Sequence, residues 1–291
     1  MIQNVNSVKI LDTIGALYDS MTKTEKIIAN MLLASPMLFS DSSLADIAKR
    51  LNVGEATFIR FCRTLGFKGF SDFKLALSIE LATKSKPQSD LLDSHIQLED
   101  SLETIGQKLA NSLQKVVAET MNLIDYNQLA LVVEAIRRAD RLFLFGMGSS
   151  GITAIDAKNK FMRIGIQVDA SANNHFMYMQ ASLARPTDVV IGISHSGYSP
   201  EIIETLRIAK SNNATTVAIT HNMRTPLTSV ADYVLTNGNR QEALQGDSIG
   251  TKIAQLFVLD LIYAALVQGE EENTKKTKQK TLDVILQQRH K

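Results

Sequence analysis

The chain has 291 residues, 45% of them apolar and 6% aromatic, with 31 Lys and Arg against 30 Asp and Glu. The apolar fraction, five prolines and a single cysteine exclude disordered, collagen-like and disulfide-scaffold architectures, and the length suits two domains. The net charge of +1 argues against a nucleic-acid binder only if it is evenly spread, and it is not: residues 1–86 hold eleven basic and eight acidic side chains, +3, which leaves −2 for the remainder.

A lone thiol cannot close an internal bridge, so a reducing cytoplasm is the expected location. The opening MIQNVNSVKILDTIG lacks the basic head and apolar run of a secretory leader. The most apolar helical stretch, IAQLFVLDLIYAALV, is interrupted by Gln255 and Asp260 and reads as too short for a membrane span.

From residue 20 to 83 the pattern is a run of short helices. Thr22 and Glu25 have the spacing of a capping box, Ile27, Ile28, Met31 and Leu32 follow at helical spacing, and Pro36 ends the segment. A second start at Ser43 and Asp46 leads into Leu44, Ile47, Ala48 and Leu51, one apolar face. Asn52-Val53-Gly54 then supplies a tight turn, and a third helix is expected from about Glu55 to Leu65, with Gly66 as its stop. At about 100° per residue, Phe58, Phe61, Cys62 and Leu65 share one side of that helix, opposite Ala56, Arg60 and Arg63. Two helices joined by a three-residue turn, the second carrying arginines outward, describe a helix-turn-helix whose third helix enters the major groove. A forked guanidinium there can bond a guanine edge or a phosphate, while Thr57 meets the backbone. Spacing alone equally allows a plain helical bundle with a basic solvent face. The DNA-facing set would be Glu55, Ala56, Thr57, Arg60 and Arg63 on the third helix, flanked by Ser43 and Lys68.

TKSKPQSD, residues 83–90, is polar and holds a proline, as a linker does. Helical pattern resumes near Leu98 and runs, with a break near Tyr126-Asn127, to Ala139. From Arg141 the runs RLFLF, IQVDA, DVVIGIS, TTVAIT and DYVLT alternate with helical segments, which implies a doubly wound parallel sheet with ligands beyond the strands' carboxyl ends. A helix from about Asp247 to Val267 closes this part. The tail EEENTKKTKQK is a solvated charge run, followed by a short amphipathic end (Leu282, Ile285, Leu286) suited to a partner subunit. The expected boundaries are a helix-turn-helix domain over 1–83, a linker over 84–99, an α/β domain over 100–270 and a charged tail with a short terminal helix over 271–291.

Two turns stand at strand ends. Gly146-Met147-Gly148-Ser149-Ser150-Gly151 matches the G-x-G-x-x-G dinucleotide fingerprint, with Asp169 near the place of a ribose-binding acid. Ser194-His195-Ser196-Gly197-Tyr198-Ser199 precedes a helix that starts at Pro200 with Ser199 as N-cap. Its three hydroxyls, the amides around Gly197 and the helix dipole form a cradle for a small phosphomonoester, or else a serine-rich cap with no ligand. His221 and Cys62 have no metal-ligand spacing with any partner, so no metal is expected, and Cys62 reads as core.

The segment DSSLADIAKRLNVGEATFIRFCRTLGFKGFSDFKLAL resembles the N-terminal helix-turn-helix of the RpiR/MurR family of bacterial transcription regulators. GMGSSG, SHSGYS and SIGTKIAQLFVLDLIY resemble that family's C-terminal sugar isomerase (SIS) domain, so the resemblance covers nearly the whole chain. It implies an α/β fold class: an all-α helix-turn-helix domain joined to a doubly wound SIS α/β sandwich. It also implies that the first glycine-serine turn, Ser149 and Ser150, serves a sugar. Ser150, Ser194, Ser196 and Ser199, with Gly197, would contact the phosphate and sugar, His175 a sugar hydroxyl, and Glu242 would be an acidic partner near the ring. Three positions depart from the family pattern: Ser199 replaces a common Thr, Lys252 a usual Arg, and Gly54 the Ser that caps the recognition helix.

The expected function is a cytoplasmic regulator of a sugar or amino-sugar operon. It would bind double-stranded operator DNA as a homodimer or tetramer and respond to a phosphorylated sugar, with no membrane partner, cofactor or catalytic residue. The alternatives are a phosphosugar aldose-ketose isomerase, with Glu242 or His175 as base, and an NAD-dependent dehydrogenase built on GMGSSG and Asp169.

Overall fold

In the computed structural model, residues 10–83, 100–239 and 249–289 are described. They fall into two compact units, Met1–Leu123 and Ile124–Lys291. The expected linker residues 84–99 lie outside the described residues.

The first unit is helical: α1 (Ile10–Leu17), α2 (Lys23–Ala34), α3 (Pro36–Asp41), α4 (Leu44–Leu51), α5 (Glu55–Thr64), α6 (Phe70–Thr83) and α7 (Leu102–Leu123). The capping box at Thr22 forms in both directions: the Glu25 amide donates to Thr22 Oγ1 at 3.3 Å and the Thr22 amide to Glu25 Oε2 at 2.9 Å. Glu25 Oε1 also accepts from Thr64 Oγ1 at 3.1 Å, so one carboxylate caps α2 and ties it to the end of α5. Pro36 does end α2, and it also opens α3, because a residue without an amide proton costs nothing in a first helical turn.

The core of this unit is organised around Phe58, whose ring lies 5.8 to 5.9 Å from those of Phe39, Phe61, Phe70 and Phe73. Edge-on and tilted contacts of this kind add to the area term. Cys62 is fully buried beside them, and burial pushes its thiol up to about 12.

The second unit opens with α8 (Tyr126–Arg138), capped by the Asp125 carboxylate. β1 (Leu142–Gly146), α9 (Gly148–Met162), β2 (Val168–Ser171), α10 (Asn174–Ser182), β3 (Val189–Ile193), α11 (Pro200–Ser211), β4 (Thr215–Thr220), α12 (Pro226–Val230), β5 (Tyr233–Thr236), α13 (Ile249–Val267) and α14 (Glu271–Arg289) follow. The five strands are parallel in the order β2-β1-β3-β4-β5, each formed by one of the five β-rich runs. Period-two alternation divides the core. Leu142, Leu144, Val189, Ile191 and Ile193 face α8, α9 and α13, whereas Phe143, Phe145 and Val190 face α10, α11 and α12. This is the expected doubly wound sandwich.

By length and composition α13 is apolar enough to cross a membrane, but Ala254, Val258, Leu259 and Ile262 are buried and build the α8/α9 side of the core. The tail differs from the pattern reading, since α14 is one continuous helix from Glu271. The charge run contains no glycine or proline, its acids stand at the amino end, and Glu272 pairs with Lys276 one turn on. Leu282, Ile285 and Leu286 are exposed at its far end.

Asp232 ties β5 to its neighbours. Oδ2 accepts from the Thr216 amide at 2.9 Å and from Thr216 Oγ1 at 2.8 Å, and Oδ1 pairs with Lys210 at 2.9 Å. Burial pushes the carboxyl up, but the bonds from Thr216 and Lys210 outweigh it and hold the group below its ordinary value. A depressed folded value stabilises the fold at pH above the unfolded range near about 4, and that contribution is lost as pH falls through the folded value. Melting of Asp232→Asn against the parent should therefore show a deficit at pH 7 that shrinks below about pH 4. Phe58→Ala should destabilise the first unit by about 3–5 kcal/mol in a urea titration, by leaving a cavity among four rings.

Candidate functional site

In the first unit, Asn52 adopts the left-handed conformation (φ 52°), and its amide reaches back to the Ala48 and Lys49 carbonyls. The left-handed residue ends α4, and Gly54 starts α5 without a side-chain cap, as glycine must. Ser43 Oγ accepts from the Asp46 amide and donates to Asp46 Oδ2 at 2.6 Å, so this hydroxyl is spent on capping α4. On α5 the buried side is Phe58, Phe61 and Cys62, and Glu55, Ala56, Arg60 and Arg63 are exposed, the division expected from the helical wheel. Arg60 donates to Thr57 Oγ1 at 3.1 Å, which holds the guanidinium over the first turn of the helix. Lys68 is exposed after α5, where its amide donates to Asp72.

In the second unit, β2 lies on one side of β1 whereas β4 and β5 lie beyond β3. Chains that leave the adjacent strands β1 and β3 therefore turn in opposite directions and open a crevice at their carboxyl ends. Gly146 at the end of β1 is in register with Ile193 at the end of β3, so both glycine-serine turns begin at this crevice.

The first turn is held by close backbone approach. A Cβ on Gly151 would stand 2.6 Å from Ala172 Cβ and 2.7 Å from the Gly146 carbonyl oxygen. The same contact brings Ala172, two residues before α10, against this turn, and the exposed His175 stands in the first turn of α10. Ser149 Oγ is buried with no hydrogen-bond partner among the described residues. Ser150 is buried, and its Oγ accepts from Gln255 Nε2 at 2.9 Å. Gln255, fully buried on α13, also meets Thr153 Oγ1 at 2.9 Å through Oε1. In the sequence Gln255 is visible only as a polar break in an apolar helix; its partners lie about a hundred residues away.

In the second turn, Ser194 and Ser199 share a hydroxyl hydrogen bond of 2.9 Å, and Ser199 makes no side-chain cap. The Gly197 amide donates to Ser194 Oγ and the Tyr198 amide to Ser196 Oγ, both at 3.2 Å. The serines thus sit on the amides that an anion would use, and the helix start leaves the first-turn amides of α11 without intrahelical acceptors. Gly197 has φ 73°, and a Cβ there would lie 2.4 Å from Thr225 Oγ1. His195 does not join the hydroxyls: its ring stacks on that of His221 at 5.2 Å. His221 Nδ1 lies 2.9 Å from the Asn237 carbonyl, which only accepts, so Nδ1 carries the proton.

Ser149, Ser150, Ser194, Ser196, Gly197 and Ser199 therefore occupy the two turns at the β1/β3 switch, and His175 lies at the start of α10. Glu242 lies outside the described residues. Asp169 is committed elsewhere. Oδ1 binds Lys158 at 2.6 Å and the Ala170 amide at 2.8 Å, and Oδ2 accepts from Gln180 at 2.5 Å. Burial raises its pKa, and these three partners more than reverse that and hold it below the ordinary value. A carboxylate with both oxygens engaged has little left for a ribose, which counts against the dinucleotide reading. A cavity of about 330 Å³ lies near Arg141, Leu142 and Val168, at the opposite ends of the strands, and includes none of the serines. Among the described residues no group of three or more His, Cys, Asp or Glu side chains is arranged to hold a metal ion.

Residues 8–84 match the helix-turn-helix domain of the rpiR family, and residues 135–265 match the SIS domain. A Haemophilus influenzae protein described as an uncharacterized HTH-type transcriptional regulator is 63% identical over 97% of this chain and 98% of its own length. The chain belongs to the rpiR family of helix-turn-helix transcriptional regulators. The HTH-type transcriptional regulator RpiR of Escherichia coli K12 is 27% identical over 92% of this chain and 89% of its own. The structure of Vibrio vulnificus NanR complexed with ManNAc-6P superposes with a TM-score of 0.60 at 24% identity, over 95% of this chain and 98% of NanR, and so shares the fold. The rpiR-family assignment makes the chain a DNA-binding transcriptional regulator with a SIS domain and disfavours the isomerase and dehydrogenase readings.

Gly151→Ala should disorganise the first turn, because its Cβ has nowhere to go between Ala172 and the Gly146 carbonyl. The expected outcome is a melting temperature lowered by several degrees and a loss of any phosphosugar-induced thermal shift, both read by scanning fluorimetry.

Proposed function

We propose that the chain is a cytoplasmic repressor of a sugar or amino-sugar catabolic operon whose operator affinity is set by a phosphorylated sugar bound between the two serine turns. The reader lies within residues 1–83 and the sensor within 100–270. The observation that carries this reading is the convergence of Ser149, Ser150, Ser194, Ser196 and Ser199 with two helix starts at the β1/β3 crevice. Hydroxyls and amides without an internal Lys or Arg suit one phosphate on a neutral sugar, which His175 and Glu242 would then contact. The complex of NanR with ManNAc-6P supports a phosphosugar as the ligand class.

On the DNA side, Arg60 and Arg63 of α5 read the groove and phosphates, with Glu55, Ala56 and Thr57 at its entrance and Ser43 and Lys68 at the flanks. A single helix-turn-helix reads too few base pairs for genomic selectivity, so the regulator acts as a homodimer, or a pair of dimers, on a palindromic site. Exposed Ile152 and Ile155 on α9 and Phe176 and Met179 on α10 supply apolar surface for that association.

Two variants separate the halves of this function. Arg60→Ala should weaken operator binding by about tenfold or more in a gel shift at fixed salt, with the phosphosugar thermal shift unchanged. Ser196→Ala should leave operator affinity intact and abolish the effect of phosphosugar upon it. Full retention of that effect would remove the second turn as the phosphate site.

A further inference from the structure

Gln255 is a fully buried amide in the middle of a largely apolar helix, and both of its ends are engaged on α9. Burying an amide costs free energy unless its bonds are made, and an apolar residue of similar size would fill this position with less demand on its neighbours. The polar side chain therefore asks for a reason beyond packing.

The reason lies in the hydroxyl of Ser150. A serine hydroxyl has one proton to give and lone pairs to accept with, whereas an amide nitrogen only donates. Gln255 Nε2 at 2.9 Å therefore occupies a lone pair of Ser150 and leaves its proton to point elsewhere. The other end of the amide, Oε1, faces Thr153 Oγ1 at 2.9 Å, and that hydroxyl lies 2.8 Å from the Ser150 carbonyl. With the amide turned over, Ser150 would give its proton to Oε1, Thr153 would give its own to the Ser150 carbonyl, and nothing would be left for a ligand. In the structure Nε2 faces Ser150 and Oε1 faces Thr153, and an anion at the turn would favour that arrangement, because only then does Ser150 have a donor to offer.

We infer that Gln255 is a positioning residue for the effector: it fixes Ser150 as a hydrogen-bond donor toward an anionic oxygen and thereby makes the first turn selective for a phosphoryl group. This rests on the reading of Ser150 as an effector contact, and the test separates the two.

Binding of inorganic phosphate and of ManNAc-6P to the full chain is measured by calorimetry for the parent, Ser150→Ala, Gln255→Met and the double variant. Melting of each unliganded protein reports folding. Ser150→Ala should weaken binding by about tenfold, one hydrogen bond to a charged acceptor. Gln255→Met should weaken it by about three- to tenfold, because the hydroxyl is released among three staggered positions and loses its polarising donor. In the Ser150→Ala background the Met substitution should change affinity by less than about twofold, since it then has nothing to position. Equal losses from Gln255→Met in both backgrounds, or none in the parent, would overturn the inference and leave Ser150 as a contact. No binding by the parent, or no loss from Ser150→Ala, would overturn the contact itself and the inference with it. Should Gln255→Met not fold, Thr153→Val keeps the amide but removes the hydroxyl that orients it, and the same cycle with Ser150→Ala applies, with the same overturning results.

Discussion

The reversal of winding direction between the parallel neighbours β1 and β3 is the constraint on which the sensor depends. A sheet wound one way throughout would carry each strand-to-helix turn over its neighbour and bury it. With β2 on one side and β4 and β5 on the other, the turns after β1 and β3 part, and the polar groups they carry can face solvent and a ligand. That opening requires little bulk in the backbones beside it. The Gly146-Gly151 approach and the Gly197-Thr225 contact each leave no room for a Cβ, which is why glycine recurs in both turns.

Polar burial in the second unit is not random. The strand interiors are mostly apolar, and many buried polar side chains stand at or near the carboxyl ends: Ser150, Thr153, Ser194, His221, Asn237 and Gln255 are all buried. Some are bonded at both ends, as Gln255 is. Others keep an atom without a partner among the described residues, namely Ser149 Oγ, His221 Nε2 and Asn237 Oδ1. Gln180 Oε1, near the opposite strand ends, is in the same state, but most such atoms of this unit gather at the carboxyl edge, where a ligand can supply the missing bonds.

Much of this was legible in the residues themselves. Helical periodicity from Thr22 to Leu65, the Asn52 turn and the alternation from Arg141 each encode local geometry within a few positions, and the helices and strands follow them closely. The two serine turns were visible because glycine and serine cluster where a strand stops and a helix starts. Less visible were features set by distant partners. The stacking of His195 on His221 and the grip of Gln255 on Ser150 join residues far apart in the chain, and neither has a periodic signature. Asp169 shows the converse: its position suited a ribose, but Lys158 and Gln180 claim both oxygens, and only tertiary structure brings them there. The tail was underestimated because a charge run reads as solvated, although its acid-then-lysine order also supports a helix.

Cys62 carries a practical consequence. The chain's one native thiol is fully buried among phenylalanine rings, and with its pKa near 12 it is almost entirely uncharged at neutral pH. Maleimide and disulfide reagents need thiolate and access, and this side chain provides neither. The wild-type background is thus silent to such labels without any cysteine having to be removed. Single cysteines introduced at exposed positions such as Met37 on α3 and Ser211 on α11 would then carry a fluorophore pair cleanly, so that the separation of reader and sensor can be followed in solution as ligand is added.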